Sequence, residues 1–323
     1  MLRFLKTGSL LSLLLSAVFM CAQAAPPRIF FSDLESGPNT GGQNNNGVWV
    51  TIWGKGFGAT QGTATVKVGA GTVASYPLWS DGKIIFQLGA NATTGSIVVN
   101  VPGIGTSNGL PFTVRAGNIF FVATTGNDAN TGIFTSPWKT IVKAKNTIAA
   151  GDTAYIQDGV AQTSQDNFTA YVSMDNNGAS NSGTAAAPKA LIAYPNATAT
   201  VGVAGGLAYG IRTPNIGTRE DYWVISQLHI MGGTQAMDLG GTGWRVIGNE
   251  MQCPNADGEV GCFEMSNGNQ VKFYGNEVHN AGINPTSSKF YHAVYFSTDS
   301  NHVDVGWNHI HDNFTCRALQ FHS

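Results

Sequence analysis

Four short segments near the C-terminal end carry polar residues framed by apolar ones: Met237-Asp238-Leu239, Phe263-Glu264-Met265, Val294-Tyr295-Phe296 and Leu319-Gln320-Phe321. If each is a strand, alternation turns the flanking residues inward and the middle one outward. Stacked strands sit about 4.8 Å apart, so Asp238, Glu264, Tyr295 and Gln320 would form one outward column. Two carboxylates that close repel, so one is protonated, the pair shares a cation, or loops of different length stagger them. Calcium takes hard oxygen ligands, which makes Asp238 and Glu264 the candidate metal ligands and Ca2+ the candidate cofactor.

The elements that must hold this column repeat. Trp223–Ile230, Trp244–Met251, Val271–Val278 and Val303–Ile310 superpose, with apolar residues at relative positions 1, 3 and 8. Position 6 is Leu228, then Asn249, Asn276 and Asn308. An i, i+2 apolar pair marks a strand, and the polar break after it marks a turn. Repetition at roughly 20–30 residues is the signature of a solenoid, and the β-branched and aromatic content makes it a β-solenoid. The three asparagines predict a structural ladder of stacked amides that satisfies the turn backbone. A second column, Gln252, His279 and His311, lies three residues beyond the ladder; polar residues of the repeat are the expected reading, ahead of a metal site.

Upstream, Ser136–Ile148 reads as one short helix with Ser136 as N-cap and Pro137 at the first helical position. Ile141, Ala144 and Ile148 share a face. Such a helix would close the open apolar end of a solenoid. The passage containing Phe121-Val122, Gly126-Asn127-Asp128, Gly132, Pro137-Trp138-Lys139-Thr140-Ile141 and Gly151-Asp152-Thr153 resembles the N-terminal cap of pectate-lyase-like proteins. That resemblance implies a right-handed parallel β-helix over 119–323, with Gln157–Ala161 departing from the usual Gly-Gly-Thr-Tyr ending. Asp128 and Asp152 are expected to stabilise turns rather than to bind calcium.

The resemblance also implies an acidic polysaccharide along the outer face of one sheet. Lyase chemistry there needs a cation to neutralise the uronate carboxylate and a base to take the neighbouring proton. Lys289, Tyr291, His292 and Tyr295 fall in one coil, with Arg317, Gln320 and His322 in the next. Arg317 suits a fork to the carboxylate, and His292 or Lys289 suits the base. Tyr291, Tyr295, Gln320 and His322 are the candidate substrate contacts.

Residues 27–115 contain short strands between Gly, Asn and Pro turns, the pattern of a β-sandwich. Val50-Thr-Ile-Trp-Gly54, Gly56-Phe-Gly58, Val68-Gly69, Ile85-Phe86 and Pro111-Phe-Thr-Val114 resemble the IPT/TIG family, an immunoglobulin-like module. Trp49, Trp53 and Trp79 are expected to pack rather than to stack on sugars. The fold class expected for the chain is therefore all-β, a sandwich followed by a β-helix.

Residues 1–24 read as a signal peptide: Arg3 and Lys6, the apolar run Leu10–Met20, and Ala22-Gln-Ala24 as cleavage site. The mature protein is expected to be secreted, periplasmic or at the cell surface, and monomeric. Net charge is −2, and only 11% of the 323 residues are charged, so no electrostatic case exists for nucleic acid. No segment after the signal peptide is long and apolar enough to span a bilayer. Cys253 and Cys262 flank one loop and either pair or serve as small buried hydrophobes, and Cys316 is then left over. The sequence stops in or just after a strand, which suggests that the solenoid continues beyond Ser323. A non-catalytic binding or adhesion rod is the alternative to a lyase, and a β-helix hydrolase or uronate epimerase is a further one, for which Asp238, Glu264 and Asp299 supply carboxylates.

Overall fold

The structure, a computed structural model, describes residues 24–214, 219–255, 258, 260–283 and 290–322. The residues before Ala24, and Lys289, lie outside these.

The N-terminal unit is an antiparallel sandwich. Arg28–Ser32, Trp49–Lys55, Lys83–Leu88 and Gly71–Trp79 form one sheet. Thr65–Val68, Gly95–Val101 and Leu110–Val114 form the other. Gly71–Trp79 pairs with both and turns the corner between them. Val50, Ile52, Val66, Phe86, Ile97, Val99 and Phe112 fill the core.

The rest is a parallel β-helix with three faces. The first face carries Ile119–Val122, Thr153–Ile156, Lys189–Ala193, Trp223–Ser226 and Arg245–Ile247, in parallel register. The second carries Ala170–Ser173, Tyr209–Arg212, Gln235–Thr242, His292–Ser297 and Arg317–Phe321, with the start of Gly261–Tyr274 between the third and fourth of these. Gly261–Tyr274 runs unbroken around the corner and joins first and second faces into one twelve-stranded sheet. The third face is a separate six-stranded sheet, from Ala161–Gln162 to His309–His311.

The repeat positions fall where alternation requires. Trp223, Trp244 and Val271 point inward, as do Ile225, Val246, Phe273, Ile230, Met251 and Val278. All nine are fully buried, and each such side chain contributes roughly 1.5–3 kcal/mol of apolar burial. The ladder asparagines bind as expected. Asn276 Oδ1 accepts from Asn249 N (3.0 Å), and Asn308 Oδ1 accepts from Asn276 N (2.9 Å). Their amide nitrogens donate to Val246 O and Phe273 O at 2.9 Å. The residue before each ladder position is left-handed: Gln227, Gly248, Gly275 and Trp307, with φ between 57 and 66°. At two of these a glycine is required twice over. A Cβ on Gly248 would meet the Trp53 ring at 2.9 Å, and one on Gly275 would meet the Phe31 ring at 2.8 Å.

Those rings belong to the sandwich, which docks on the first face. Trp49 packs edge-on against Tyr155 and Tyr194, and Tyr155 Oη donates to Trp49 O at 2.7 Å. Arg245 donates to the carbonyls of Asp33 (3.0 Å) and Ser32 (2.6 Å) and pairs with Glu35. Trp53 stacks on Phe31, and Trp79 Nε1 donates to Phe57 O, so the tryptophans are packed as expected. The connection after Val114 is pinned rather than loose, with Arg115 donating to Pro188 O at 3.1 Å.

The capping helix is shorter than the sequence suggests. It spans Ile141–Thr147, with Thr140 as N-cap accepting from Lys143 N. Ser136 and Pro137 precede it because Trp138 is already committed to the first strand: its backbone exchanges hydrogen bonds with Phe121 O and Ala123 N. Ile141, Ala144 and Ile148 are buried as expected. Asp128 accepts from Lys139 N, Thr140 N and Thr140 Oγ1. Asp152 accepts from Asn118 N and Ala149 N, and both thus serve turns. Cys253 and Cys262 form a disulfide, while Cys316 is free and exposed.

Candidate functional site

The outward column of the second face is built by strand register. Arg212 pairs with Asp238, Asp238 with Glu264, Glu264 with Tyr295, and Tyr295 with Gln320. The expected column is therefore extended by one residue, Arg212. Its signal was present in Tyr209-Gly-Ile-Arg212, where Ile211 aligns with the inward Met237.

A cleft of about 350 Å³ opens over the first part of this column, lined by Tyr209, Arg212, Arg219, Asp238, Glu264 and Ser266 among others. Arg212 Nε lies 3.0 Å from Asp238 Oδ2, and its guanidinium stacks over the Tyr209 ring at 4.0 Å. Burial raises the Asp238 pKa above the usual carboxylate value, and Arg212 opposes that rise. Burial also raises the Glu264 pKa, with the charge of Asp238 adding to it and a hydrogen bond from Ser297 opposing. Glu264 Oε2 accepts from Gln235 Nε2 at 3.0 Å, and Oε1 accepts from Ser297 Oγ at 3.0 Å.

Asp238 and Glu264 are adjacent carboxylates in register. Their repulsion is relieved by Arg212 and by hydrogen bonds. The donor set does not suit calcium, which takes six to eight oxygen ligands. Asp238 is held by a guanidinium, and Glu264 is occupied by amide and hydroxyl donors.

The other candidate residues divide. His292 and Arg317 are neighbours in register on the second face. His292 is buried, and its Nδ1 has no hydrogen-bond partner among the described residues. Burial, then the positive charge of Arg317, hold its pKa below the usual imidazole value. That keeps it neutral at pH 7 and able to accept a proton. Its ring lies 4.8 Å from that of Tyr295. Tyr295 Oη lies 3.2 Å from His322 Nδ1. Arg317 is exposed and makes no salt bridge among the described residues. Gln320 completes the column.

Tyr291 is placed otherwise than expected. It is fully buried inside the coil, where its hydroxyl donates to Thr234 O at 3.0 Å. It precedes the strand His292–Ser297 and so escapes the alternation that governs Tyr295. Lys289 lies outside the described residues. Asp299, on a tight turn with φ 55°, stands apart from the column.

Fold and site together define an all-β protein: a parallel β-helix with a docked sandwich and a polar cleft on one outer face. No protein-family model matches the sequence, and no curated protein matches it. Two solved structures are similar in shape. One is pectate lyase Pel9A, at 16% identity over 58% of this chain and 47% of that one, with a TM-score of 0.42. The other is a rhamnogalacturonan lyase, at 15% identity over 64% of this chain and 61% of that one, with a TM-score of 0.34. The chain spans about half the length of the first and 61% of the second. Among the described residues no helix is long and apolar enough to cross a membrane.

Proposed function

We propose that the protein is an exported lyase of acidic polysaccharides, acting on the outer second face of the β-helix, with an IPT/TIG-like sandwich as accessory module. The observation that carries this reading is the grouping of Arg317, which has no carboxylate partner among the described residues, with His292 and the Tyr295–His322 pair on two adjacent rungs. Elimination beside a carboxylate needs a cation for that carboxylate and a base for the neighbouring proton. Arg317 binds the uronate carboxylate and stabilises the charge that develops on it. Tyr295 first passes its hydroxyl proton to His322 Nδ1, 3.2 Å away, and its phenolate then takes the proton from the carbon next to that carboxylate. The C–H electrons form the new C=C bond as the bond to the leaving oxygen breaks, and that oxygen takes the proton held by His322. His292 packs against Tyr295, with its ring 4.8 Å from the tyrosine ring. Arg219 borders the same face and has no carboxylate partner among the described residues, which suits a polyanion running along the column.

A second reading is favoured by one observation. Asp238 and Glu264 are register neighbours whose pKa values both lie above the usual carboxylate range. Paired carboxylates of unequal environment are the equipment of glycoside hydrolysis. Incubation of the full chain with pectate, alginate and glycosaminoglycans, with and without chelator, distinguishes the two. Lyase action gives unsaturated products and, with Arg317 as the neutralising cation, survives the chelator. New reducing ends without unsaturation would instead support hydrolysis. Retention on an immobilised polysaccharide without any product would leave a binding rod.

A further inference from the structure

Four of the seven histidines lie on the third face, away from the cleft: His229, His279, His309 and His311. Two columns run across its strands. His229, Glu250, Glu277 and His309 form one, and Met231, Gln252, His279 and His311 lie beside it. The sequence pattern exposed only the second. The first sits directly after the ladder position, at the start of each third-face strand.

We propose that Glu277, His309 and His311 bind a divalent transition-metal ion of the zinc type, which fastens two successive coils together. His309 and His311 are i and i+2 on one strand, so both imidazoles project from the same outer face. Glu277 is the register partner of His309 on the preceding coil. One ligand atom from each of the three lies within 4.8 Å of the other two. Glu277 Oε1 is 2.8 Å from His311 Nε2 and 3.7 Å from His309 Nδ1. Zinc bonds of about 2.0–2.1 Å bridge donors up to about 4 Å apart, so a small rotation of the exposed His309 side chain completes the set. The remaining positions face solvent and take water.

Two further features point to an ion rather than to simple pairing. The other ring nitrogen of His311 lies 2.8 Å from Asp312 Oδ2. A carboxylate behind a histidine fixes its tautomer and aims its free nitrogen at a metal. The preceding coil has the same residue types but a different arrangement. There Glu250 gives Oε2 to His229 (2.6 Å) and Oε1 to His279 (2.9 Å), with Gln252 also on Oε1. Its donors are consumed pairwise and do not converge. Imidazole with carboxylate selects zinc, nickel, cobalt or copper over calcium and magnesium.

The test uses the full chain without a polyhistidine tag, stripped with chelator and titrated with ZnCl2 by calorimetry. One equivalent is expected to bind, and the melting temperature to rise with zinc but not with magnesium. His309→Ala and His311→Ala should each weaken binding at least tenfold and abolish the rise; His309 is exposed, so its loss leaves the fold intact. Asp312→Asn should weaken binding by about tenfold or more through His311. His229→Ala, one coil back, should bind zinc as the wild type does. Absence of saturable binding, or equal affinity in the His309→Ala and His311→Ala variants, would overturn the proposal. So would loss of binding in His229→Ala alone.

Discussion

Arg212 Nε and Asp238 Oδ2 stand 3.0 Å apart on adjacent rungs, at the opposite end of the outward column from Gln320. At that end, buried carboxylates are matched by guanidinium, amide and hydroxyl donors. At the other, Arg317 is exposed beside a neutral histidine and a tyrosine–histidine pair. Among the described residues Arg317 makes no salt bridge, whereas Arg212 is paired with Asp238.

Arg317→Ala is expected to lower turnover of acidic polysaccharide by roughly 10²–10³-fold, the usual effect of removing a group that stabilises developing charge. Arg317→Lys should recover part of it, since lysine keeps the charge but not the fork. Because Arg317 is exposed, the melting temperature should not change in either variant. Initial rates with an unchanged melting curve check this.

Asn276→Ala is expected to destabilise the β-helix by about 3 kcal/mol. The substitution strands Asn249 N and Val246 O, both inside the turn stack, and each unpaired buried group costs roughly 1–3 kcal/mol. Chemical denaturation of the two proteins measures it. A loss below about 1 kcal/mol would mean that the ladder is not what holds the turns.

Asp33 gives the interface between sandwich and β-helix a pH dependence. It is fully buried at the junction, and burial, opposed by hydrogen bonds from Thr51 N and Leu34 N, raises its pKa from 3.8 to about 6. A raised carboxyl pKa means that the folded state holds the proton more tightly than the unfolded state. Its contribution is fully present below pH 3.8 and is lost as pH rises through 6. Asp33→Asn cannot ionise. Its stability relative to wild type should therefore climb between pH 4 and pH 7, by about 3 kcal/mol in all. A flat difference across that range would contradict the assignment.

The strand register of the second face could be read before any coordinates because each rung repeats the same apolar frame around one polar residue. Asp238, Glu264, Tyr295 and Gln320 align for that reason. Tyr291 could not be placed the same way, since it sits at a corner where alternation has not begun. The docking of the sandwich left a signal that went unread: Tyr155, Ile192 and Val224 are apolar at outward positions of the first face, and all are buried. Strands covered on both sides read as continuous apolar runs, and those runs mark the covered face. Ser136-Pro137 is a sound cap in isolation, and only the hydrogen bonds of Trp138 to Phe121 O and Ala123 N show that the chain is still extended there. The match of Arg212 to Asp238 depends on register across a 26-residue separation, which local pattern does not specify.

The central claim is that Tyr295 and its neighbours cleave acidic polysaccharide by elimination. The most direct measurement is the absorbance of unsaturated product released by wild type and by Tyr295→Phe from the same panel of pectate, alginate and glycosaminoglycans. At least one substrate should give a steady rise with wild type. Tyr295→Phe, with an unchanged melting curve, should be slower by roughly 10²–10⁴-fold, the range for loss of a proton-transfer group. No rise on any substrate with folded wild type, or an equal rise with Tyr295→Phe, would contradict it.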